Sequence, residues 1–386
     1  MAHAKLDGLD LDVLYSRKSE KWHTYPREIL PAWVAEMDFP LAAPVERVLR
    51  EAIDRWDIGY PIAPNATGLR EAFAERMSER FAWTIDPTRA EILTEVVQGL
   101  FVSLYAYAKP GQGVVVQTPI YSPFLSAVEE TGRRLVENRL ADEPERWQID
   151  WDGLEAGIDS ETRVLLFCNP HNPTGRVFTR SELERLAEVV LRHDLVIVTD
   201  EIHSDLVYDG RSHIPFASLG PEVAAHTVTL TSASKSFNLP GLRCAIAHFG
   251  SRELQQRFTG AFPRHVRGGM GLLGMYATIA AWREGQPWLD EVVAYLESNR
   301  DHVARCLALR FPGIRFHPVE GTYLAFLDCS ALELGPSPVK HFYTRGRVAL
   351  SDGRSFGPGF EQFVRLNFAT SREILDQVLD RMSAAL

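Results

Sequence analysis

Cysteine is scarce in this chain: four residues of 386, namely Cys168, Cys244, Cys306 and Cys329, with no CxxC pair among them. A reduced, cytoplasmic protein fits that spacing better than a disulfide framework or a zinc site. Long apolar runs are also missing. No stretch approaches the roughly 18 apolar residues of a membrane helix, and the opening segment MAHAKLDGLDLDVLYSRKSEKW carries charges where a signal peptide would be apolar. Positive charge is not in excess, since 41 Lys plus Arg face 51 Asp plus Glu for a formal charge of −10. A dispersed acidic surplus argues against a nucleic-acid partner, which favours a basic stripe. Walker and HExxH patterns are absent. His171, His203, His213 and His302 lack ligand spacing, so no metal site is expected. What is present is an ordinary globular composition, 45% hydrophobic and 24% charged, without repeats or flexible linkers.

Short β-branched runs recur between helix-like stretches: Val114 to Val116, Val164 to Phe167, Leu195 to Val198, Val228 to Leu230 and Ala245 to Ala247. They are continuously apolar rather than alternating, as strands buried on both faces are. Between two of them, Ser181 to His193 places Leu183, Leu186, Val189 and Val190 on one stripe, with Ser181 or Thr179 as N-cap candidates. Alternation of this kind predicts an α/β fold with a mainly parallel sheet covered by helices. Past Trp288 a long amphipathic stretch to about Arg310, strand-like runs at Tyr323 to Leu327 and Phe363 to Phe368, and a terminal helix from about Ser371 predict a smaller α+β unit. The expected division is a large domain over 46–285 and a small one built from 1–45 plus 286–386.

Ligands of open parallel sheets bind beyond the carboxyl ends of the strands. Those ends carry Thr118-Pro119-Ile120-Tyr121, Asn169-Pro170-His171-Asn172-Pro173-Thr174-Gly175, Asp200-Glu201-Ile202-His203 and Ser232-Ala233-Ser234-Lys235. Singly, each has a plain reading: Asn-Pro-Thr-Gly is a good turn, an acid ending a strand caps a helix, and a lysine is usually solvated. Together on one sheet edge they suit pyridoxal phosphate, which needs an imine-forming lysine, an acid beside its pyridine nitrogen, donors at its phenolic oxygen and an anion site. Lys235 would supply the amine, lowered in pKa by desolvation and neighbouring cations. Asp200 would keep the ring nitrogen protonated, and Asn172 would donate to the phenolic oxygen. Ser232, Ser234, Arg243 and the backbone of Val97 to Gly99 would hold the phosphate.

At these residues the chain resembles fold-type I pyridoxal-phosphate enzymes of the class I/II aminotransferase superfamily over essentially its full length. WVAEMDFP (33–40), TPIYSPF (118–124), NPHNPTGRVFT (169–179), DEIHSDLVYDG (200–210), SASKSFNLPGL (232–242) and RLNFATSR (365–372) are similar to the MalY/PatB branch of cystathionine β-lyases and cysteine C–S lyases. The fold implied is a seven-stranded-type, mainly parallel sheet with a smaller α+β domain. The resemblance also implies roles. Arg365 would pair with the substrate carboxylate, aided by Asn172, and the segment around Ala35 and Glu36 would close over it. Tyr121 would stack on or hydrogen-bond near the cofactor, beside Val97, Gln98 and His203, the last standing where many aminotransferases have Tyr. Tyr60 would reach the phosphate of a neighbouring subunit, implying a homodimer with shared sites. The chain departs from the pattern at Glu36 (usually Asp), Gln98 (often Pro), Ser236 and Pro240 (commonly Thr and Ala), and across 264–274. The activity expected is β-elimination of a thiol from cystathionine or a cysteine S-conjugate. Transamination, decarboxylation-coupled oxidative deamination of a cysteine conjugate, and a regulatory binding role are the alternatives.

Overall fold

The computed structural model describes residues 6–61, 66–263, 266 and 268–386. Its centre is a seven-stranded sheet of β1 (Ala90–Leu93), β2 (Gly113–Thr118), β3 (Arg134–Arg139), β4 (Thr162–Cys168), β5 (Val196–Asp200), β6 (Thr227–Thr231) and β7 (Ala245–Phe249), in the order β1-β7-β6-β5-β4-β2-β3. Neighbours from β6 through β3 pair parallel, whereas β7 lies antiparallel to both β6 and β1. The continuous apolar runs have the cause expected of them. Val114 and Val116 point into one core with Leu166, Val198 and Leu230, while Val115 points into another with Leu165, Phe167 and Ile197. Each such valine, fully withdrawn from water, contributes about 1.5–2 kcal/mol before entropy is counted. The edge strands β1 and β3 carry weaker apolar signal, since one side lacks a neighbour; in β3 exposed and buried residues partly alternate.

Helix α1 (Val96–Tyr107) packs on the first face, and Gly99 permits its approach, because a Cβ there would lie 2.7 Å from Leu230 Cδ2. Helix α2 (Arg180–Arg192) covers the second face through Leu183, Leu186, Val189 and Val190. Thr179, rather than Ser181, is its N-cap. The Thr179 hydroxyl accepts the Glu182 N–H while Glu182 reaches back to the Thr179 N–H, a reciprocal capping box.

Further along come the short α3 (Ala233–Ser236) and the 25-residue α4 (Gln286–Arg310). A second, antiparallel sheet follows, of β8 (Arg315–Phe316), β9 (Leu324–Asp328), β10 (Ser351–Asp352) and β11 (Phe363–Asn367), in the order β8-β9-β11-β10. Helix α5 (Arg372–Ser383), capped by Ser371, closes the chain. The N-terminal segment crosses to this half, as Leu30–Pro31 pairs parallel with Val348–Ala349. The turn after β4 joins the halves. Gly175 adopts φ +69°, its Cβ position is filled by Val319, and its carbonyl accepts the N–H groups of Glu320 and Gly321 at 2.9 Å each.

Candidate active site

Parallel pairing aligns the carboxyl ends of β4, β5 and β6, with Cys168 opposite Asp200 and Asp200 opposite Leu230. The segments that follow therefore meet along one edge. Asp200 is buried there; its carboxylate accepts the Ile202 N–H at 3.1 Å and its backbone carbonyl the Asn169 N–H at 3.0 Å. Burial pushes its carboxyl up to about 7, against the pull of that N–H and of Lys235. Lys235, on α3, is partly accessible at the edge of the group and donates from Nζ to the carbonyl of Ala35 at 2.8 Å. Desolvation and the charge of Arg365 lower its amine to about 8, outweighing Asp200 and Glu36.

Arg365 comes from the second sheet. Its Nη1 donates to Asn172 Oδ1 at 2.9 Å, and its Nη2 donates to the Trp33 carbonyl and to Ser351 Oγ, each at 3.1 Å. Its Nε is buried with no partner among the described residues, and burial brings the guanidinium down to about 10. Tyr121 is tied to the same turn, donating its backbone N–H to the Asn172 carbonyl at 3.0 Å. Burial raises its phenol, and Arg365 opposes that rise. His203 lies T-shaped against Tyr323, with centroids 5.9 Å apart, and its Nδ1 is buried without a partner among the described residues. Burial, then Lys235 and Arg365, lower the imidazole to about 3, so it is neutral. Ala35 and Glu36 sit beside Lys235 on an extended arm whose carbonyls are all engaged. Trp33 accepts from Arg365 and Ser351, Val34 from Asn367, and Ala35 from Lys235 and Tyr323. Glu36 accepts from Asn367 and Lys21, and Met37 from Asn238.

The remaining predicted residues are arranged less simply. Val97 and Gln98 occupy the first turn of α1, where helix N–H groups are exposed to an anion. The Gln98 side chain reaches back and accepts from the Thr94 N–H and hydroxyl at 3.0 Å. Ser232 donates its hydroxyl proton to the Cys244 carbonyl at 2.6 Å and accepts the Ser234 N–H at 3.0 Å. That hydroxyl has no proton left for a phosphate; it caps α3 and aims Ser234. Arg243, at φ +49°, is largely exposed and ion-paired with Glu95. Tyr60 is fully exposed. Of the stretch 264–274, positions 264, 265 and 267 lie outside the described residues.

Sequence reading overlooked Ser351 and the buried Lys21–Asp38 pair behind the arm. Ser351 pairs with Arg365 in the β10–β11 register, a signal visible only once strand pairing is known.

The fit to a pyridoxal-type ligand is direct: a partly accessible lysine with its amine lowered to about 8, a buried acid without a cation in hydrogen-bond contact, and two buried nitrogens, Arg365 Nε and His203 Nδ1, unpartnered among the described residues. Comparison with known proteins points the same way. The family model described as Aminotransferase class I and II matches residues 38–382. The chain is 35% identical over 361 residues to the cystathionine beta-lyase PatB of Bacillus subtilis strain 168, covering 93% of each. Among solved structures it is similar to OvoB, with a TM-score of 0.91 and 38% identity over 96% of each chain. It is also similar to the PLP-bound C-S lyase of Staphylococcus hominis, with a TM-score of 0.90 and 28% identity over 98% of each chain.

Proposed function

We propose, from the premise that the chain belongs to the aminotransferase class I and II family, that it is a pyridoxal-phosphate-dependent C–S β-lyase acting on cystathionine or a cysteine S-conjugate. The observation that carries this is the meeting of the partly accessible Lys235 with the buried Asp200 and Arg365 in one group, each shifted away from its ordinary pKa chiefly by desolvation. The likeness to a named cystathionine beta-lyase and a named C-S lyase supports elimination over transamination.

Bound pyridoxal phosphate supplies the electron sink that stabilises negative charge at the substrate α-carbon. The chain supplies the rest. Asp200 holds a proton at the pyridine nitrogen. Asn172, with Oδ1 committed to Arg365, has its Nδ2 left to donate to the phenolic oxygen. Val97 and Gln98 backbone amides, Ser234 and Arg243, released from Glu95, would hold the phosphate, with Ser232 positioning Ser234. Tyr121 and the neutral His203 would contribute to the ring's surroundings. Arg365 exchanges the Trp33 carbonyl for the substrate α-carboxylate, a bidentate task suited to guanidinium. Lys235, as a neutral amine, would take the α-proton; the electron pair it leaves would form the Cα–Cβ double bond as the C–S bond breaks, the C–S pair leaving on sulfur. The thiolate gains a proton, and water hydrolyses the three-carbon remainder to pyruvate and ammonia. In this reading the large unit, 46–285, carries the cofactor, and the small unit, 1–45 plus 286–386, carries Arg365 and the arm.

Incubation with L-cystathionine or an S-alkyl cysteine should release thiol and pyruvate in equal amounts without an α-keto acid. A strict keto-acid requirement would instead support transamination.

The homodimer belongs to this reading. Trp56, Ile58 and Tyr60 stand exposed together at 88%, 69% and 102%, an apolar group suited to a second copy whose phosphate site Tyr60 completes. Tyr60→Phe should leave a dimer in light scattering yet weaken pyridoxal phosphate by about tenfold, the worth of one charge-assisted hydrogen bond. Unchanged cofactor affinity would remove Tyr60 from the site.

A further inference from the structure

Behind the arm lies an ion pair that the chemistry above does not use. Lys21 and Asp38 have side chains only 1% exposed. Lys21 Nζ donates to Asp38 Oδ2 at 2.8 Å and to the Glu36 carbonyl at 3.3 Å. Trp22 Nε1 donates to the other oxygen, Asp38 Oδ1, at 2.7 Å. The Asp38 backbone is held as well, its N–H donating to the Ala369 carbonyl at 3.0 Å and its carbonyl accepting from Arg17 at 3.1 Å. Lys21 thus grips the arm at positions 36 and 38, one residue from Ala35. The Ala35 carbonyl receives both Lys235 Nζ, at 2.8 Å, and Tyr323 Oη, at 2.9 Å.

For stability alone the pair is a poor device, since apolar residues of similar volume commonly serve as well as a buried ion pair. Its value is directional. A neutral lysine that donates one N–H to a fixed carbonyl has its lone pair aimed, and proton abstraction depends on that aim. We propose that Lys21 and Asp38 are positioning residues, which hold the Ala35 carbonyl as the acceptor that orients the Lys235 amine for removal of the substrate α-proton. The proposal rests on the lyase reading.

The test uses cofactor-loaded Asp38→Asn, with kcat per bound pyridoxal phosphate measured on an S-alkyl cysteine and on its α-deuterated form. The expected result is a kcat ten- to a hundredfold lower, as for an ångström-scale misplacement. KM should stay within about threefold, and the deuterium isotope effect should be larger than in the unaltered enzyme. A merely structural role would instead lower cofactor content or thermal stability and leave kcat per loaded site and the isotope effect untouched, which overturns the proposal. Should Asp38→Asn fail to fold, the double variant Lys21→Met with Asp38→Leu keeps the volume apolar. Reduced kcat with a raised isotope effect in that protein supports the clamp, and unaltered values overturn it. The unaltered enzyme is run in parallel: if it releases no pyruvate, the lyase reading fails and not the clamp.

Discussion

Replacing Lys235 by alanine is expected to lower pyruvate release by on the order of 10⁴-fold or more, the upper range of what one acid–base group contributes, while the protein folds normally. The reason lies in its surroundings. An unperturbed lysine is almost wholly protonated at pH 7 and useless as a base. With its amine brought to about 8, roughly a tenth is neutral at pH 7. The sign follows from the cause: desolvation and Arg365 disfavour the charged amine, so the neutral fraction grows as pH rises. The elimination rate should therefore climb from pH 7 toward pH 9 and then flatten as the amine becomes fully neutral. Folding should not suffer, because at pH 7 the substitution removes a cation that burial disfavours and costs one hydrogen bond to Ala35. Circular dichroism and the unfolding midpoint check the fold, and pyruvate assays check the rate. A variant that turns over normally would sink the assignment.

How much of this was legible in the sequence divides along the kind of contact involved. Asp200 ends one strand of the central sheet, Asn172, Tyr121 and Lys235 follow others, and parallel pairing brings such ends to one edge whatever the details of packing. Their meeting could be read from order alone. Arg365 could not be so read, because it enters from an antiparallel sheet and meets Asn172 193 residues away in sequence; only resemblance pointed to it. The arm around Ala35 and Glu36 was likewise pointed to by resemblance alone, for another reason. Its contacts are made by backbone carbonyls, which every residue has, so no residue type at 33–37 signals that Lys235, Tyr323, Arg365 and Asn367 converge there. Lys21 carries no signal of its own in a charged N-terminal segment, and its 1% exposure reveals the pair. The central strands were evident from continuous apolar runs, whereas β1 and β3, at the edges, lack them. Ser232 shows the opposite limit. Its place before Lys235 suggested a phosphate donor, but the single hydroxyl proton goes to the Cys244 carbonyl.

Asp200→Asn separates catalysis from stability because the two should move in opposite directions. Asparagine fits the same space but cannot keep a proton on the pyridine nitrogen by charge, so the electron sink weakens. Activity should fall on the order of 10²–10³-fold, the scale of losing one preorganised electrostatic contact. Cofactor-free protein should behave differently. The buried Asp200 carboxylate accepts, among the described residues, the Ile202 N–H alone, and it is pushed from 3.8 up to about 7. The folded state thus keeps a proton that the unfolded chain has released between about pH 4 and pH 7. Stability from this group is full below that window and is lost as pH rises through it, at about 1.4 kcal/mol per pH unit. The variant has no such loss, so at pH 8 the cofactor-free Asp200→Asn protein should melt higher than the unaltered one, and the difference should shrink toward pH 4. Adding pyridoxal phosphate should reverse the order, because a protonated ring nitrogen provides the cation that the buried carboxylate lacks. Melting curves at several pH values, with and without cofactor, check each part. If cofactor-free variant and parent melt alike at every pH, Asp200 is not the strained acid its burial implies, and its pairing with the ring nitrogen loses its physical basis.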